Sequence, residues 1–361
     1  MEKSLYAQYT EKFFPQLVTS IVERLNGENR TTLPYLYKSL LEPAFSADGR
    51  WASILAEYTR VAADVVALDS ELPLKSRDII ETAQGEIPKL GLKLYLTEKQ
   101  MKDIDAMIAQ NMPLNRVLNN IFNDVPRVIE AVYERIEDIF LSELSSGVGI
   151  SARNNGTGVR INMNYKADHQ FNAAITWTGN LSTSTPLDDI QAIFDKALED
   201  NNVITDMWAD DTWLRGFYQS QQVRSQYAFN MGVTTSSGNV PILDLDKAAQ
   251  VIETKWGVTL HRIARKIKTE INGTKQSHSP WANGVCAFTC DPILGNLVWT
   301  NVAEDTRRVN GVDYQNADEY ILVSKYSTND PLREFTSSQA MAVPVLNNVD
   351  RIYTLDQAAK A

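Results

Sequence analysis

The pattern of apolar and polar positions is clearest over residues 115–146, where it predicts a long helix. Apolar side chains recur there at helical spacing, so they form a single stripe that packs against the rest of the protein. The stripe consists of Val125, Ile129, Val132, Ile136 and Ile139. The opposite side carries charged side chains and is expected to face solvent: Arg127, Glu130, Glu134, Glu137 and Asp138.

Pro126 lies near the start of this helix and leaves two interpretations open. Either it is a first helical residue with a cap at Asn123 or Asp124, or it kinks one longer helix. The helix would be roughly 30 Å long if it began at Pro126, and about 50 Å long if it began at Asn115. Gly147 predicts its end.

Residues 51–97 have the pattern of a long two-stranded arm. An aliphatic, strand-like run over residues 54–68 leads out, and residues 90–96 return with leucine at every second position. An excursion of about 35 residues is longer than a compact domain needs. The polar part of the excursion contains these charged residues: Lys75, Arg77, Asp78, Glu81 and Glu86.

The rest of the chain alternates between short helices and strands, which predicts an α+β fold with β-rich ends. Helices are predicted at residues 6–25, 35–41, 97–108, 186–198, 210–218 and 244–256. Strands are predicted at residues 159–165, 203–208, 240–243, 258–271, 284–289, 297–302 and 320–325, with one or two more over 341–355.

Composition and charge narrow the function classes. A hydrophobic content of 43% with 22% charged residues is ordinary for a globular protein. The formal charge of −10 argues against binding nucleic acid through a basic surface. No apolar run approaches the ~20 residues of a membrane span, and the first residues are too charged for a signal peptide.

The two cysteines, Cys286 and Cys290, lie in a strand-like run. Four residues apart on a strand places them ~13 Å apart, too far for a disulfide, which favours a reducing compartment. A zinc site formed with His278 is opposed by the same geometry. His169 and His261 also lack the spacing of zinc ligands.

Two further sequence motifs have a structural explanation. Residues 147–152 match the dinucleotide fingerprint by letters, but that motif needs a strand before it and a helix after it. Here a long helix precedes, so a helix-ending turn is favoured. Asp244 and Asp246 precede a predicted helix and favour capping over metal binding. The sequence therefore predicts no catalytic, cofactor-binding or metal-binding residue.

The one basic run lies in the predicted strand over residues 258–271. Arg262, Lys266 and Lys268 would share one face of that strand, opposite isoleucines. A solvated strand face is favoured, with a subunit contact as the next alternative. Nucleic-acid binding is the weakest alternative, because no aromatic residues interleave for base stacking.

The order of these elements resembles the major capsid proteins of tailed phages, the Hong Kong 97-like fold, and within it the lambda-type capsid protein E family. The resemblance is carried by residues 33–36 of the lead-in, the arm over 61–96, the helix over 125–147, the Pro186 helix, and the segments 208–227 and 342–353. No short motif in these stretches is diagnostic, so the resemblance is one of architecture.

The resemblance implies four parts: an N-terminal arm (1–50), an extended loop (51–97), a peripheral domain (98–185 and 319–361) and an axial domain (186–318). The extended loop would lie over a neighbouring subunit. It implies a shell protein, not an enzyme, without cofactor or membrane. Lys75, Lys89 and Lys93 lie in the arm, but nothing identifies a cross-linking asparagine.

The resemblance also implies partners and a location. The chain would assemble with itself into hexamers and pentamers of an icosahedral head that encloses double-stranded DNA. It would use a separate scaffold protein, a portal and, as an optional partner, a decoration protein. The virion capsid would be its location, with assembly in the bacterial host cytoplasm. Two alternatives stay open: an encapsulin-like shell with protein cargo, and an α/β metabolic enzyme forming a small oligomer.

Overall fold

The computed structural model describes residues 2–27, 33–56, 80–150, 160–232, 242–271 and 273–360. The chain divides into two compact units. Unit 1 comprises Met1–Trp51, Gly85–Asp138 and Asn296–Val345, and unit 2 comprises Ala52–Gln84, Ile139–Gly295 and Leu346–Ala361. Each unit is thus assembled from segments distant in sequence, and the divisions fall at other residues than those of the four predicted parts.

The described residues form ten α-helices and seventeen β-strands, an α+β composition as predicted. The helices are α1 Ala7–Asn26, α2 Tyr37–Leu40, α3 Glu98–Ala109, α4 Leu114–Ile121, α5 Asp124–Ser146, α6 Pro186–Glu199, α7 Asp211–Gln219, α8 Gln221–Asn230, α9 Leu245–Trp256 and α10 Ala303–Thr306. The strands are β1 Leu41–Phe45, β2 Arg50–Ala56, β3 Ile80–Glu86, β4 Lys89–Leu96, β5 Val148–Ile150, β6 Arg160–Asn162, β7 Gln170–Asn172, β8 Asp206–Asp210, β9 Thr259–Ile263, β10 Ile267–Ile271, β11 Thr274–His278, β12 Val285–Thr289, β13 Gly295–Thr300, β14 Asp313–Ala317, β15 Ile321–Asn329, β16 Leu332–Leu346 and β17 Ile352–Asp356.

Unit 1 is built on a six-stranded sheet with the order β1-β13-β16-β15-β14, in which β4 also pairs with β16. The central strand β16 has 15 residues. It is antiparallel to β15, with Tyr326 opposite Phe335, and antiparallel to β4, with Tyr95 opposite Phe335. Two strands separated by more than two hundred residues thus share one central partner.

The predicted strand over residues 90–96 is confirmed, but its assignment to a two-stranded arm is wrong. This strand is β4, which lies in the core sheet, whereas β2 pairs with β3. The chain passes from β3 to β4 through Ile87, which is buried. A Cβ on Gly91 would lie 2.5 Å from the carbonyl oxygen of Ser338, so glycine allows β4 to lie this close to β16.

The long helix predicted from residue 115 is two helices. α4 ends at Ile121 and α5 begins at Asp124, so Pro126 lies in the first turn of a separate helix. Its 23 residues correspond to about 35 Å. Gly147, with φ of 71°, follows the last turn. Of the two interpretations of Pro126, the start of a new helix is confirmed and the kink is wrong.

All five residues of the predicted stripe on α5 are buried, and none is more than 1% exposed. The prediction for the opposite side is wrong in part, because Glu137 and Asp138 are also buried. Residues 136–145 are buried without interruption. Helical periodicity identifies the more apolar face of a helix, but it does not say whether a second layer covers the other face.

Unit 2 contains a five-stranded mixed sheet with the order β7-β17-β12-β8-β9. β12 is antiparallel to both neighbours, and the outer pairs β17–β7 and β8–β9 are parallel. Trp177, Trp213 and Phe217 form an aromatic group in its core, with ring centroids 5.0 Å apart for Trp177 and Trp213. α6, α7, α8 and α9 all contribute residues to this core.

Helix boundaries predicted from capping residues agree with the structure. Thr97 forms the predicted capping box with Gln100 at the start of α3. The side chain of Asp244 accepts a hydrogen bond from the backbone N–H of Lys247 at the start of α9. Gly257, with φ of 71°, ends that helix. The capping interpretation of Asp244 is therefore confirmed.

Candidate assembly surfaces

The buried polar side of α5 anchors the segment that follows α1. Glu137 accepts hydrogen bonds from the backbone N–H groups of Leu36 and Tyr37, at 3.0 and 3.1 Å. These amides lie at the start of α2, where no side chain of that helix caps them. A carboxylate at this position satisfies donors that a short helix leaves free. Glu137 therefore fixes the N-terminal segment of unit 1 to α5.

A second polar cluster lies beside this anchor, centred on Asp318. Asp318 accepts hydrogen bonds from Tyr133, from the Lys38 ammonium at 3.0 Å and from Asn26 at 3.2 Å. The Lys38 ammonium also lies 3.5 Å from the centre of the Tyr133 ring. Burial, and then the Asp318 carboxylate, raise the pKa of the Tyr133 hydroxyl far above its usual range.

This cluster borders a cavity of about 350 Å³ in unit 1. Its lining combines apolar side chains with both charges of the Lys38–Asp318 ion pair. The lining residues are Asn26, Tyr37, Lys38, Leu41, Pro43, Leu297, Asp318, Glu319 and Tyr320. The hydroxyls of Tyr37 and Tyr320 are hydrogen-bonded at 2.9 Å, so two tyrosines of this wall are held together.

The N-terminal residues are joined to β15 and β16. Glu2 forms an antiparallel bridge with Ser327. Ser4 and the backbone N–H of Leu5 both donate to the Glu334 carboxylate, at 2.5 and 3.0 Å. Glu334 in turn is paired with Lys325. The first residues of the chain thus complete the hydrogen bonding of a buried charge.

The strand β4 presents the clearest candidate for contact with another chain. Among the described strands it pairs with β16 alone, so one of its edges is left for another partner. Leu92 and Tyr95 on this strand are 37% and 46% exposed. An edge strand that carries exposed apolar side chains is a template for association.

The predicted arm residues are described only in part. Lys75, Arg77 and Asp78 lie outside the described residues, and so does the side chain of Glu81. Glu86 is exposed at the end of β3. Their role in contacts between subunits stays a prediction.

The structure does not contain the single basic strand predicted over residues 258–271, because these residues form two strands. Arg262 lies on β9 in the five-stranded sheet, whereas Lys268 lies on β10, which pairs with β11. Lys266 is exposed in the segment between them. The Arg262 guanidinium makes two hydrogen bonds to the Asp211 carboxylate, at 2.5 and 3.0 Å. A single strand face shared by the three cations is therefore wrong.

Two of the histidines stack on aromatic rings in unit 2. His169 stacks on Tyr353 with ring centroids 4.4 Å apart, and His261 stacks on Trp208 at 4.0 Å. His261 also lies 2.7 Å from Asp206. Burial lowers the pKa of His169. Within the described part of the chain, no group of three or more His, Cys, Asp or Glu side chains is placed to hold a metal ion.

Both cysteines are free thiols in buried positions. Burial raises the pKa of Cys290 to about 12 and that of Cys286 well above its usual range. A thiol that stays protonated is a poor nucleophile and a poor metal ligand. Within the described ranges, no helix is long and apolar enough to cross a membrane.

The most exposed large apolar side chains of unit 2 lie near the ends of three helices. Phe229 and Met231 at the end of α8 are 78% and 62% exposed, and Ile242 before α9 is 86% exposed. Leu198 and Val203, near the end of α6, are also largely exposed. Burying such side chains against a partner is favourable, so these positions are candidates for contact between subunits.

Known structures share this fold along almost the whole chain. A protein described as the capsid protein of a prophage of E. coli CFT073 matches with a TM-score of 0.58 at 14% identity, covering 95% of this chain and 99% of its own. A phage-related protein from Bordetella bronchiseptica RB50 matches with a TM-score of 0.50 at 12% identity, covering 94% and 96%. No curated protein sequence is similar enough to be matched. The fold is therefore the Hong Kong 97-like α+β fold of capsid proteins.

The sequence itself gives the family. It matches phage major capsid protein E over residues 56–356, which is most of its length. The chain belongs to the phage major capsid protein E family. The surfaces described above are therefore those of a structural shell subunit.

Proposed function

We propose that this chain builds the icosahedral head of a tailed double-stranded DNA phage or prophage, assembling with itself into hexamers and pentamers. Family membership supports the proposal. The structural observation that carries it is the edge strand β4, on which Leu92 and Tyr95 stay exposed within the subunit. A neighbouring copy would cover them.

A contact of this kind contributes enough free energy for shell assembly because it is repeated in every subunit. Burying a large apolar side chain that was exposed contributes about 1.5–3 kcal/mol. Leu92 and Tyr95 are only partly exposed, so each contributes less than that. A shell repeats the contact in every subunit, and a loss at one contact is therefore multiplied over the particle.

The charge of the chain suits a container for DNA. A formal charge of −10 disfavours tight binding of the phosphate backbone, so the wall encloses the DNA without binding a sequence. The partners of this function are a scaffold protein, a portal and, as an optional partner, a decoration protein. The particle is the virion capsid, assembled in the cytoplasm of the bacterial host.

The test compares particles formed by the wild type and by a Leu92→Lys, Tyr95→Lys double variant, each produced with its scaffold protein. Negative-stain microscopy and sizing chromatography are the measurements. We expect closed particles from the wild type and none from the double variant, with the melting temperature of the unassembled subunit nearly unchanged. Leu332→Lys is the matched control, because Leu332 is exposed to a similar degree in the same sheet.

Three results would contradict the proposal. A wild-type protein that forms only a small oligomer would favour the enzyme alternative. Particles that hold a cargo protein other than the scaffold protein would favour an encapsulin-like compartment. Closed particles from the double variant, or loss of particles from the Leu332 control as well, would remove β4 as the specific contact.

A further inference from the structure

Near the C-terminal end of α5 lies a buried carboxyl group that, unlike those of Glu137 and Glu334, has no hydrogen-bond partner in the described part of the chain. Glu143 has no exposed surface, and neither of its carboxyl oxygens has a hydrogen-bond partner among the described residues. Glu137, two turns earlier, is equally buried but accepts two backbone N–H groups. A buried polar group without a partner is costly, and a charged one much more so.

The antiparallel pair β5–β6 closes over this carboxyl group. A Cβ built on Gly149 of β5 would lie 2.5 Å from Oε1 of Glu143, so only a glycine allows this approach. The N–H of Met163 after β6 donates to the carbonyl oxygen of Gly147 at 2.8 Å. The hydroxyl of Tyr165 donates to the carbonyl oxygen of Leu144 at 3.3 Å. The two described strands β5 and β6, referred to as the hairpin, thus lie against the last turns of α5.

The groups around Glu143 are almost all uncharged. Its neighbours one turn away on α5 are Ile139, Phe140 and Ser146. On the strand pair, Gly149 of β5 faces it, and the residue opposite Gly149 on β6 is the buried Ile161. Residues 279–284, of which Ala282 donates to Ser145, carry no titratable side chain. Tyr165 is the titratable group of the described chain that faces it.

Burial alone raises the pKa of Glu143 well above its usual value of 4.5. Burial first, and then the nearby Glu143, raise the pKa of Tyr165. The closed arrangement is therefore compatible with a neutral carboxylic acid. It is not compatible with a carboxylate, which would be buried beside a glycine backbone without a donor.

We propose that Glu143 is a proton-controlled latch for the β5–β6 hairpin. While the acid is neutral, the hairpin stays closed over the last turns of α5. When the acid loses its proton to solvent, the buried carboxylate is unstable without water or a donor. The hairpin then separates from α5, so that water can solvate the carboxylate. The latch needs no neighbouring subunit, so it can be tested on the unassembled protein, independently of shell assembly.

The sign of the pH dependence follows from linkage. In the open state Glu143 is solvated and has its usual pKa, 4.5, whereas in the closed state its pKa is raised. Stabilisation of the closed state is complete below 4.5 and is lost as the pH rises through the closed-state value. Between the two values, the equilibrium constant for opening increases about tenfold per pH unit.

Hydrogen exchange measured by mass spectrometry on the full-length subunit tests this. Protection factors, corrected for intrinsic exchange, are compared from about pH 5 to about pH 9 for peptides covering residues 147–150 and 160–165. We expect protection of these peptides to fall by up to about tenfold per pH unit in the wild type. Peptides from β13, which carries no titratable side chain, serve as an internal reference and stay constant.

Two variants separate the latch from general destabilisation. Glu143→Gln mimics the neutral acid and should keep the hairpin protected across the whole range. Glu137→Gln alters the other buried carboxyl group of α5 and should leave the pH dependence of the hairpin unchanged. Equal pH dependence in wild type and Glu143→Gln would overturn the proposal. If protection of the hairpin peptides in the wild type did not change with pH, that result alone would overturn the proposal.

Discussion

The ammonium of Lys325 lies 3.3 Å from the carboxylate of Glu334 in a position where neither side chain has any exposed surface. The two residues face the same side of the unit 1 sheet from neighbouring strands. Lys325 also donates to the carbonyl oxygen of Ile121 at 3.2 Å. Burial lowers the pKa of Lys325, and the Glu334 charge opposes that shift. The pair is stable because each partner satisfies the other and both have further hydrogen-bond partners.

Removing one member of this pair should therefore be more harmful than replacing both. We expect Lys325→Met to lower the free energy of unfolding by about 3–5 kcal/mol, because it leaves a carboxylate buried without its cation. Lys325→Met combined with Glu334→Gln should recover part of that loss. Urea denaturation is the measurement, and Lys3→Met, which alters an exposed ion pair with Glu11, is the control. Additive losses in the double variant would show that the two charges are not coupled.

Glu137 gives a second test of buried polar contacts. In Glu137→Ala the N–H groups of Leu36 and Tyr37 lose their acceptor, at a cost of about 1–3 kcal/mol in the free energy of unfolding. The segment before α2 should become more accessible to protease at the same time. Glu130→Ala, at a half-buried position on the same helix, is the matched control. Equal stability of the two variants would mean that Glu137 does not anchor the segment.

The apolar stripe of α5 should not tolerate charge. Ile136 has no exposed surface, so Ile136→Asp buries an unpaired carboxylate and should cost several kcal/mol, about 4–5, enough to abolish soluble expression. Val132→Asp should act in the same way. Arg127→Asp reverses a charge at an exposed position of the same helix and should express normally. A well-folded Ile136→Asp protein would mean that the stripe is not part of the core.

Features with a local physical cause could be predicted from the sequence. The stripe of α5 follows from spacing, and the starts of α3, α6 and α9 follow from Thr97, Pro186 and Asp244, whose capping or backbone preferences act over a few residues. α8 was missed, because Gln221–Asn230 is polar and has little helical periodicity. Its start could have been found from Ser220, whose hydroxyl accepts from the N–H of Val223.

Features that depend on distant partners could not be predicted. The alternating leucines of β4 suit any half-buried strand, and nothing in them specifies pairing with β16 rather than with the arm. The burial of Glu137 depends on amides a hundred residues away, and that of Glu334 depends on Ser4 and Leu5. One feature of the sequence did indicate the burial of Lys325, because its neighbours on the same face of the strand, Val323 and Ser327, are apolar or small.

A deletion in the predicted arm can distinguish an effect on folding of the subunit from an effect on assembly of the shell. The deletion has to leave β3 intact. Removing residues 71–87 would also remove β3 and the buried Ile87, so it would damage the subunit itself. Replacing residues 71–79 by a short Gly-Ser turn retains β3 and its pairing with β2. A tip that contacts a neighbouring subunit contributes little to the core of its own, so the melting temperature of the isolated subunit should stay nearly unchanged.

Assembly of the same variant should fail. A loss of about 2 kcal/mol in each contact weakens each one roughly thirtyfold, and a closed shell requires many contacts at once. Sizing chromatography and microscopy of wild type and deletion, side by side, are the measurements. The matched control replaces residues 307–310, which are exposed in unit 1, by Gly-Ser of the same length. Closed particles from the arm deletion would remove the arm from the assembly contacts, and a deletion that cannot fold would place it in the core of its own subunit.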